Sequence, residues 1–229
     1  MFDFSSIPPN MTYFLDGIIM TLIIAFFSVI LGTVIGTLAA VAKRSKILPL
    51  RWLMNIYTEI FRNTPMLVQI TLGFQFLSGQ FFPSFQVGIF TENLNRIIPG
   101  ILIIALNSGA YMCETVRAGI NAVPKGQTEA AYSLGIRPSQ TMYKVILPQA
   151  FRNILPALGN EFVTIVKDSS LLSTIGVYEL YLASNTVGTN IYQPIPAMLT
   201  AAAFYFVVCF VLNRGVAVLE KRFGKGFAN

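Results

Sequence analysis

A small set of ionisable and amide side chains interrupts the long apolar runs of this chain, and these are the residues that could do chemistry. Glu161 lies mid-way along the run 150–167, beside Asn160. A carboxylate there could meet an ammonium group on a solute. The alternative is an ion pair with Lys167 or a basic residue of another segment, because a charge at a bilayer centre costs about 2.5–3.5 kcal/mol on insertion scales. Asn107 and Ser108 sit within another apolar run; they could line a polar path or hydrogen-bond between helices. Arg62, Asn63 and Thr64 precede Pro65, which lacks a backbone donor and can break a helix. Broken helices near the bilayer centre recur at solute sites of transporters. Arg62 lies close to one end of its run and reads as a gate or an ion pair with Glu59. Glu114 and Arg117 are three apart and can face one another on a helix, a structural or gating pair. Asp168, beside Lys167, falls at the edge of its run and serves a vestibule or caps a loop.

These groups suit binding and passage, not catalysis. The chain has no histidine and two cysteines. Cys113 and Cys209 both fall in apolar stretches and read as packing residues. No Cys/His cluster suggests a metal, and no G-x-x-x-x-G-K-[ST] loop suggests a nucleotide. No cofactor is expected in this chain, so an energy source must be another chain or an ion gradient.

The elements that must position these residues are membrane helices. The sequence is 54% hydrophobic and 11% charged, against about 25% charged in soluble domains. A bilayer core needs about 20 apolar residues as helix. Five runs qualify as spans, at about 17–42, 57–77, 97–117, 150–167 and 196–218, within one transmembrane domain over 1–229. Gly32 and Gly36 form a G-x-x-x-G in the first, a spacing that permits close helix approach and also recurs by chance in glycine-rich spans. Basic residues mark the cytoplasmic side. Lys43, Arg44, Lys46 and Arg51 follow span one; Arg117, Lys125, Arg137 and Lys144 follow span three; Lys221, Arg222 and Lys225 follow span five. The opposite side (the first sixteen residues, the loop from Gln80 to Arg96 and the loop from Ser169 to Ile195) carries one basic residue, Arg96. The N-terminus is therefore expected outside, as an uncleaved tail up to Asp16, and the C-terminus in the cytoplasm. The net charge of +6 is a topology signal, not a nucleic-acid signal.

The cytoplasmic loop 123–148 is polar and rich in small residues. Gln127 or Thr128 is expected to start a short helix, with Glu129 in a first turn that suits the helix dipole. Gly135 fits a left-handed stop, and Pro138 the first turn of the next helix. Paired Ala130 and Ala131 give a narrow face that could sit in a groove of another protein; alanine is also simply a good helix former.

The spacing Glu129-Ala130-Ala131, Gly135, Val145-Ile146-Leu147-Pro148 resembles the permease signature of ATP-driven importers, with Val145 for the usual Ile. Tyr57 to Gln69, Ser108-Gly109-Ala110-Tyr111 with Glu114 and Arg117-Ala118-Gly119-Ile120, Leu147 to Arg152, Leu158 to Phe162 and Lys167 to Leu171 extend the resemblance over most of the chain. Asn63 stands where Gly is more common. The family is the histidine/glutamine/arginine-type permease subunits of binding-protein-dependent ABC importers. The resemblance implies an all-α membrane protein with the type I ABC importer permease fold, in the bacterial cytoplasmic (inner) membrane. It implies a second permease subunit, identical or paralogous, and two ABC ATPase subunits that bind ATP and Mg. An extracytoplasmic amino-acid-binding protein would deliver the solute. The stretch Glu129, Ala130, Ala131 and Gly135 would be the coupling helix on the ATPase. The rival reading is a secondary carrier or channel without an ATPase, which predicts internal inverted repeats. None is evident, and five spans do not divide evenly.

Overall fold

The computed structural model describes residues 3–77 and 94–223, and among these the secondary structure is helical with no strand. The expected outer loop from Gln80 lies outside the described residues up to residue 93, as does Lys225 in the tail. A 3-10 turn, Pro8–Asn10, leads into α1 (Met11–Lys43). The first span therefore begins within the expected tail, where Phe14 is fully buried and stacks on Phe204 at 6.0 Å.

Helix α1 is apolar all round, as a membrane span can be. Its inner face carries small residues, among them Gly17, Ala25, Gly32, Gly36 and Ala39, while Phe26, Phe27, Val34 and Leu38 point outward. The small face is used. A Cβ on Gly32 would stand 2.8 Å from Ser108 Oγ, and one on Gly36 would stand 2.6 Å from Met112 Cβ. The G-x-x-x-G is thus the contact between α1 and α4 (Leu94–Asn121).

Helices α2 (Leu48–Asn63) and α3 (Met66–Leu77) replace the single expected span 57–77. Pro65 forces the separation: the residue before a proline is pushed to extended backbone, and Thr64 has φ −117° and ψ 146°. Next come α5 (Lys125–Ser133), the single turn α6 (Pro138–Thr141) and a π turn over Met142–Ile146. Helix α7 (Leu147–Asp168) continues from the π turn and ends in a 3-10 turn, Ser169–Ile175. The segment expected as an outer loop, 169–195, contains that turn and a further helix, α8 (Leu180–Asn190). Helix α9 (Pro194–Phe223) completes the described chain.

Among the described residues three helices are, by length and composition, long and apolar enough to cross a membrane: 8–43, 94–121 and 194–222. The break at Thr64 divides the second run, and Arg152, Glu161, Lys167 and Asp168 dilute the fourth. The main core joins α1, α3, α4 and α7 through Ile24, Ile70, Ile104 and Val166, each fully buried.

A broken helix beside a polar cavity

Breaking a helix inside lipid leaves carbonyls without donors, and each must be satisfied within the protein. Four side chains do this here. Thr64 Oγ1 donates back to the Ile60 carbonyl at 2.8 Å. Gln69, one turn into α3, donates its amide to the Phe61 carbonyl (2.9 Å), the Thr64 carbonyl (3.0 Å) and Thr64 Oγ1 (2.7 Å). Asn107 Nδ2 reaches from α4 to the Phe61 carbonyl (3.1 Å) and to Gln69 Oε1 (2.8 Å). Asn63 donates to the Glu59 carbonyl and carboxylate, at 2.9 and 2.8 Å.

Beside the break a cavity of about 400 Å³ opens between α3, α4 and α7; Thr64, Asn107, Ser108, Tyr111, Glu161 and Asp168 are among its walls. Glu161 and Asp168 share it because seven residues bring a helix back to nearly the same face. Neither carboxylate has an ion-pair partner among the described residues. Lys167, the sequence candidate, is six residues from Glu161, which places it about 120° away around the helix; it is exposed and outside the cavity. Ser108 Oγ is buried and without a hydrogen-bond partner. The Glu161 carboxyl faces it without closing a bond of good geometry. The volume and the mixed polar lining match small-molecule sites, typically about 300–1,000 Å³.

The six expected path residues therefore separate into two groups. Thr64, Asn107, Ser108 and Glu161 meet at one cavity, and Asp168, expected as an edge or vestibule group, joins them. Asn63 and Asn160 do not line it: both are exposed, Asn63 is tied to Glu59, and Asn160 is rotated off the Glu161 face.

The expected ion pair Glu59–Arg62 does not form. Asn63 at i+4 occupies the Glu59 carboxylate, and the Arg62 guanidinium lies over the Tyr111 ring, 5.7 Å from its centre. The ring face offers a cation a favourable partner on α4. Glu114 does bind Arg117, at 3.2 Å. Its closer partner is Lys43, at 2.8 Å, which also donates to Thr58 Oγ1 at 2.6 Å. Lys43 is nearly buried, so α1, α2 and α4 are clamped at one end by a charged network.

Helix α5 starts at Lys125, earlier than the sequence suggests. Pro124 is its N-cap with no side-chain bond, so Glu129 falls in the second turn and is exposed. Its end follows expectation. Gly135 has φ +73°, and the Gly135 and Ile136 amides bond the Tyr132 and Ala131 carbonyls at 2.9 and 3.0 Å, the pairing of a Schellman stop. Pro138 opens α6. The paired alanines divide, with Ala131 buried against the chain and Ala130 exposed. Glu129, Ala130, Tyr132 and Leu134 present an outward face.

Sequence reasoning missed four working residues. Gln69 carries a signal, an amide four residues after a helix-breaking proline. Tyr111 and Lys43 depend on contacts between helices. Glu179 is fully buried and caps α8: its carboxylate accepts from the Tyr181 and Leu182 amides (2.9 and 2.8 Å) and from the Tyr205 hydroxyl (2.7 Å). Glutamate is not among the preferred caps, so nothing local marks it.

A helical membrane protein with a broken helix, a polar cavity at the break and a protruding surface helix has the parts of a solute permease. Known proteins agree. The family model of binding-protein-dependent transport system inner membrane components matches residues 32–225, and the chain belongs to that family. The L-cystine transport system permease protein TcyB of Bacillus subtilis is 38% identical over 207 residues, covering 90% of this chain and 84% of that protein. The arginine transport system permease protein ArtQ of the same organism is 34% identical over 214 residues, 92% of each chain. A solved amino acid ABC transporter with histidines matches with TM-score 0.87 at 36% identity, over 97% of this chain and 99% of that one. The MetNI methionine ABC transporter, 20% identical, shares the fold alone, with TM-score 0.73 over 94% and 98% of the two chains.

Proposed function

We propose that this chain is the transmembrane subunit of an ATP-driven importer that forms the path for a polar amino acid. The observation that carries the proposal is the cavity at the Pro65 break. Thr64, Asn107, Ser108, Glu161 and Asp168 converge there, and both acids lack a charge partner. Uncompensated ionisable groups at membrane depth are functional candidates by default. The solved amino acid transporter and the curated amino-acid permeases support the solute class.

In this reading the chain crosses the bacterial cytoplasmic membrane five times, through α1, α2 with α3, α4, α7 and α9. The N-terminus is outside, because Lys43, Arg44 and Lys46 after α1, Lys125, Arg137 and Lys144 around α5, and Lys221 and Arg222 at the end of α9 mark the cytoplasmic side. An extracytoplasmic binding protein delivers the amino acid. Thr64, Thr71, Asn160, Thr164 and Lys167 are exposed polar residues within or beside the spans. Lipid is a poor neighbour for them, so a second permease subunit and a wet path cover that face. Helix α5 docks on one of two ATPase subunits, which bind ATP and Mg; no nucleotide chemistry resides in this chain. ATPase closure pushes α5, and the push reaches α7 through the π turn, so the cavity alternates between two accessible states.

The test is purification of the tagged chain in mild detergent, wild type against Glu129→Lys, with mass spectrometry of what accompanies it. A P-loop ATPase at near-equal amount with wild type, and lost with Glu129→Lys, is the expected result. Normal ATP-driven uptake by the variant would sink the docking assignment. A chain that purifies alone in both cases would favour the secondary-carrier reading.

A further inference from the structure

Two further cavities meet at the end of the molecule where α1 stops and α7 starts. The first, of about 430 Å³, is a groove between α1, α4 and α7. Its α7 wall is Leu147, Phe151, Ile154, Leu155 and Leu158, the spacing of one apolar helix face. Its polar side chains are few: Thr33, spent on the Val29 carbonyl at 2.7 Å, Thr37 and Tyr143. Phe151 and Tyr143 are exposed, apolar surface that nothing in the chain covers. The groove does not face the Pro65 cavity. Nine residues put Leu155 on the opposite side of α7 from Thr164, which lines that cavity. In the arrangement proposed above, the groove therefore looks into lipid. From Leu147 to Leu158 its wall runs about 16.5 Å at 1.5 Å per residue. One leaflet contributes about 15 Å of a hydrocarbon core about 30 Å thick, so the groove has the length of one acyl chain.

The second cavity, of about 340 Å³, lies behind α5 and shares Ile120 with the groove. The π turn separates the two: Met142 lines one and Tyr143 the other. Its charged lining is basic, Arg44 from the end of α1 and Lys125 from the start of α5. Neither cation forms an ion pair among the described residues, and Glu129, one turn after Lys125, makes none with it. Asn121 and Thr128 add neutral donors. Basic pockets between helices on the cytoplasmic side recognise anionic lipid headgroups, and the orientation proposed above, on which this inference rests, puts the pocket on that side. A zwitterionic headgroup would bring its own cation among the two already there and fits less well. We infer that the permease binds an anionic phospholipid of the cytoplasmic leaflet, its phosphate held by Arg44 and Lys125 and one acyl chain in the groove. Such a lipid packs on Tyr143 and Pro148, at the joint where the π turn continues into α7.

The probes are phosphatidylglycerol and phosphatidylcholine carrying the same photoreactive acyl chain. Each is added to phosphatidylcholine nanodiscs that hold the purified permease with whatever subunits accompany it. After illumination, proteolysis and mass spectrometry locate the label. Wild type is expected to take the phosphatidylglycerol label within 147–158 at least about tenfold above the phosphatidylcholine label, within what two cations at a membrane surface supply. Arg44→Gln combined with Lys125→Gln should lower the phosphatidylglycerol label there to the phosphatidylcholine level and leave the latter unchanged. Leu155→Trp, which fills the groove, should reduce both. Equal labelling by the two lipids in wild type overturns the inference and needs no variant to fold. Label spread evenly over the outward faces of α1 and α9, or a groove left unlabelled because a second copy covers it, overturns it too. Displacement of the phosphatidylglycerol label by inorganic phosphate would assign the two cations to a free anion instead. The label is read on the permease itself, so absence of an ATPase from the preparation would count against the importer reading and not against the lipid site.

Discussion

Replacing Gln69 with leucine should destabilise the protein even though it makes the span more apolar. Gln69 closes the break between α2 and α3: its two amide hydrogens are shared among the Phe61 carbonyl, the Thr64 carbonyl and Thr64 Oγ1, and its Oε1 accepts from the Asn107 amide. Hydrogen bonds between helices in a membrane protein average about 0.6 kcal/mol each, so the loss of two donated bonds and one accepted bond amounts to roughly 1.8 kcal/mol on that scale. The Phe61 carbonyl keeps the Asn107 amide at 3.1 Å, which limits the damage. The Thr64 carbonyl loses the Gln69 donor; a buried orphan would cost about 1–3 kcal/mol, but Thr64 is exposed to the cavity side, where water can replace the donor. The expected loss is about 2 kcal/mol. It is measured by unfolding the purified protein in mixed micelles with increasing SDS, followed by far-ultraviolet circular dichroism. A cycle with Asn107→Ala isolates the Gln69–Asn107 bond, with an expected coupling of about 0.6 kcal/mol and at most about 1.7 kcal/mol. A Gln69→Leu protein within about 0.5 kcal/mol of wild type, the range of inconsequential surface changes, would refute the idea that side chains sustain the break.

Three further outcomes follow from the geometry. Gly36→Leu drives a side chain into Met112 Cβ and the Gly109 carbonyl, 2.6 and 2.7 Å from the site of its Cβ. Overpacking of this kind costs about 1–3 kcal/mol or more, read as lost thermal stability in detergent, with Gly36→Ala the milder variant. Lys43→Met strips Glu114 of its nearer partner; a fully buried pair would lose about 3–5 kcal/mol. Glu114 keeps Arg117 and is partly exposed, so about 2 kcal/mol is expected, partly restored by adding Glu114→Gln. Glu129→Lys leaves the exposed α5 folded, so circular dichroism should match wild type while ATP-driven uptake is lost.

What was legible in the sequence was what neighbours in sequence decide. Pro65 restricts the residue before it and lacks a donor, so the break could be read from three letters. Gly135 and Pro138 punctuate α5 and α6 for equally local reasons. The expected start of α5 at Gln127 or Thr128 was late because Pro124 opens the helix without a side-chain bond. Helix α8 was hidden because its cap is a glutamate completed by Tyr205 from α9, a partner 26 residues away. The same applies to Lys43, whose acid lies on α4, 71 residues on.

The candidate site shows where local pattern stops and geometry takes over. An acid at 161 with a lysine at 167 resembles an intramembrane ion pair on paper, and helical rotation rules it out: six residues point the two apart. Seven residues, by contrast, bring Asp168 under Glu161, so two groups that the sequence assigned to different places become one feature. Their shared lack of a countercharge among the described residues suits a site whose cation is brought by a solute that arrives and leaves. A resident lysine in the cavity would satisfy the acids permanently and leave less for a solute to gain; Lys167 instead stands about 120° around α7 from Glu161, exposed and outside the cavity lining.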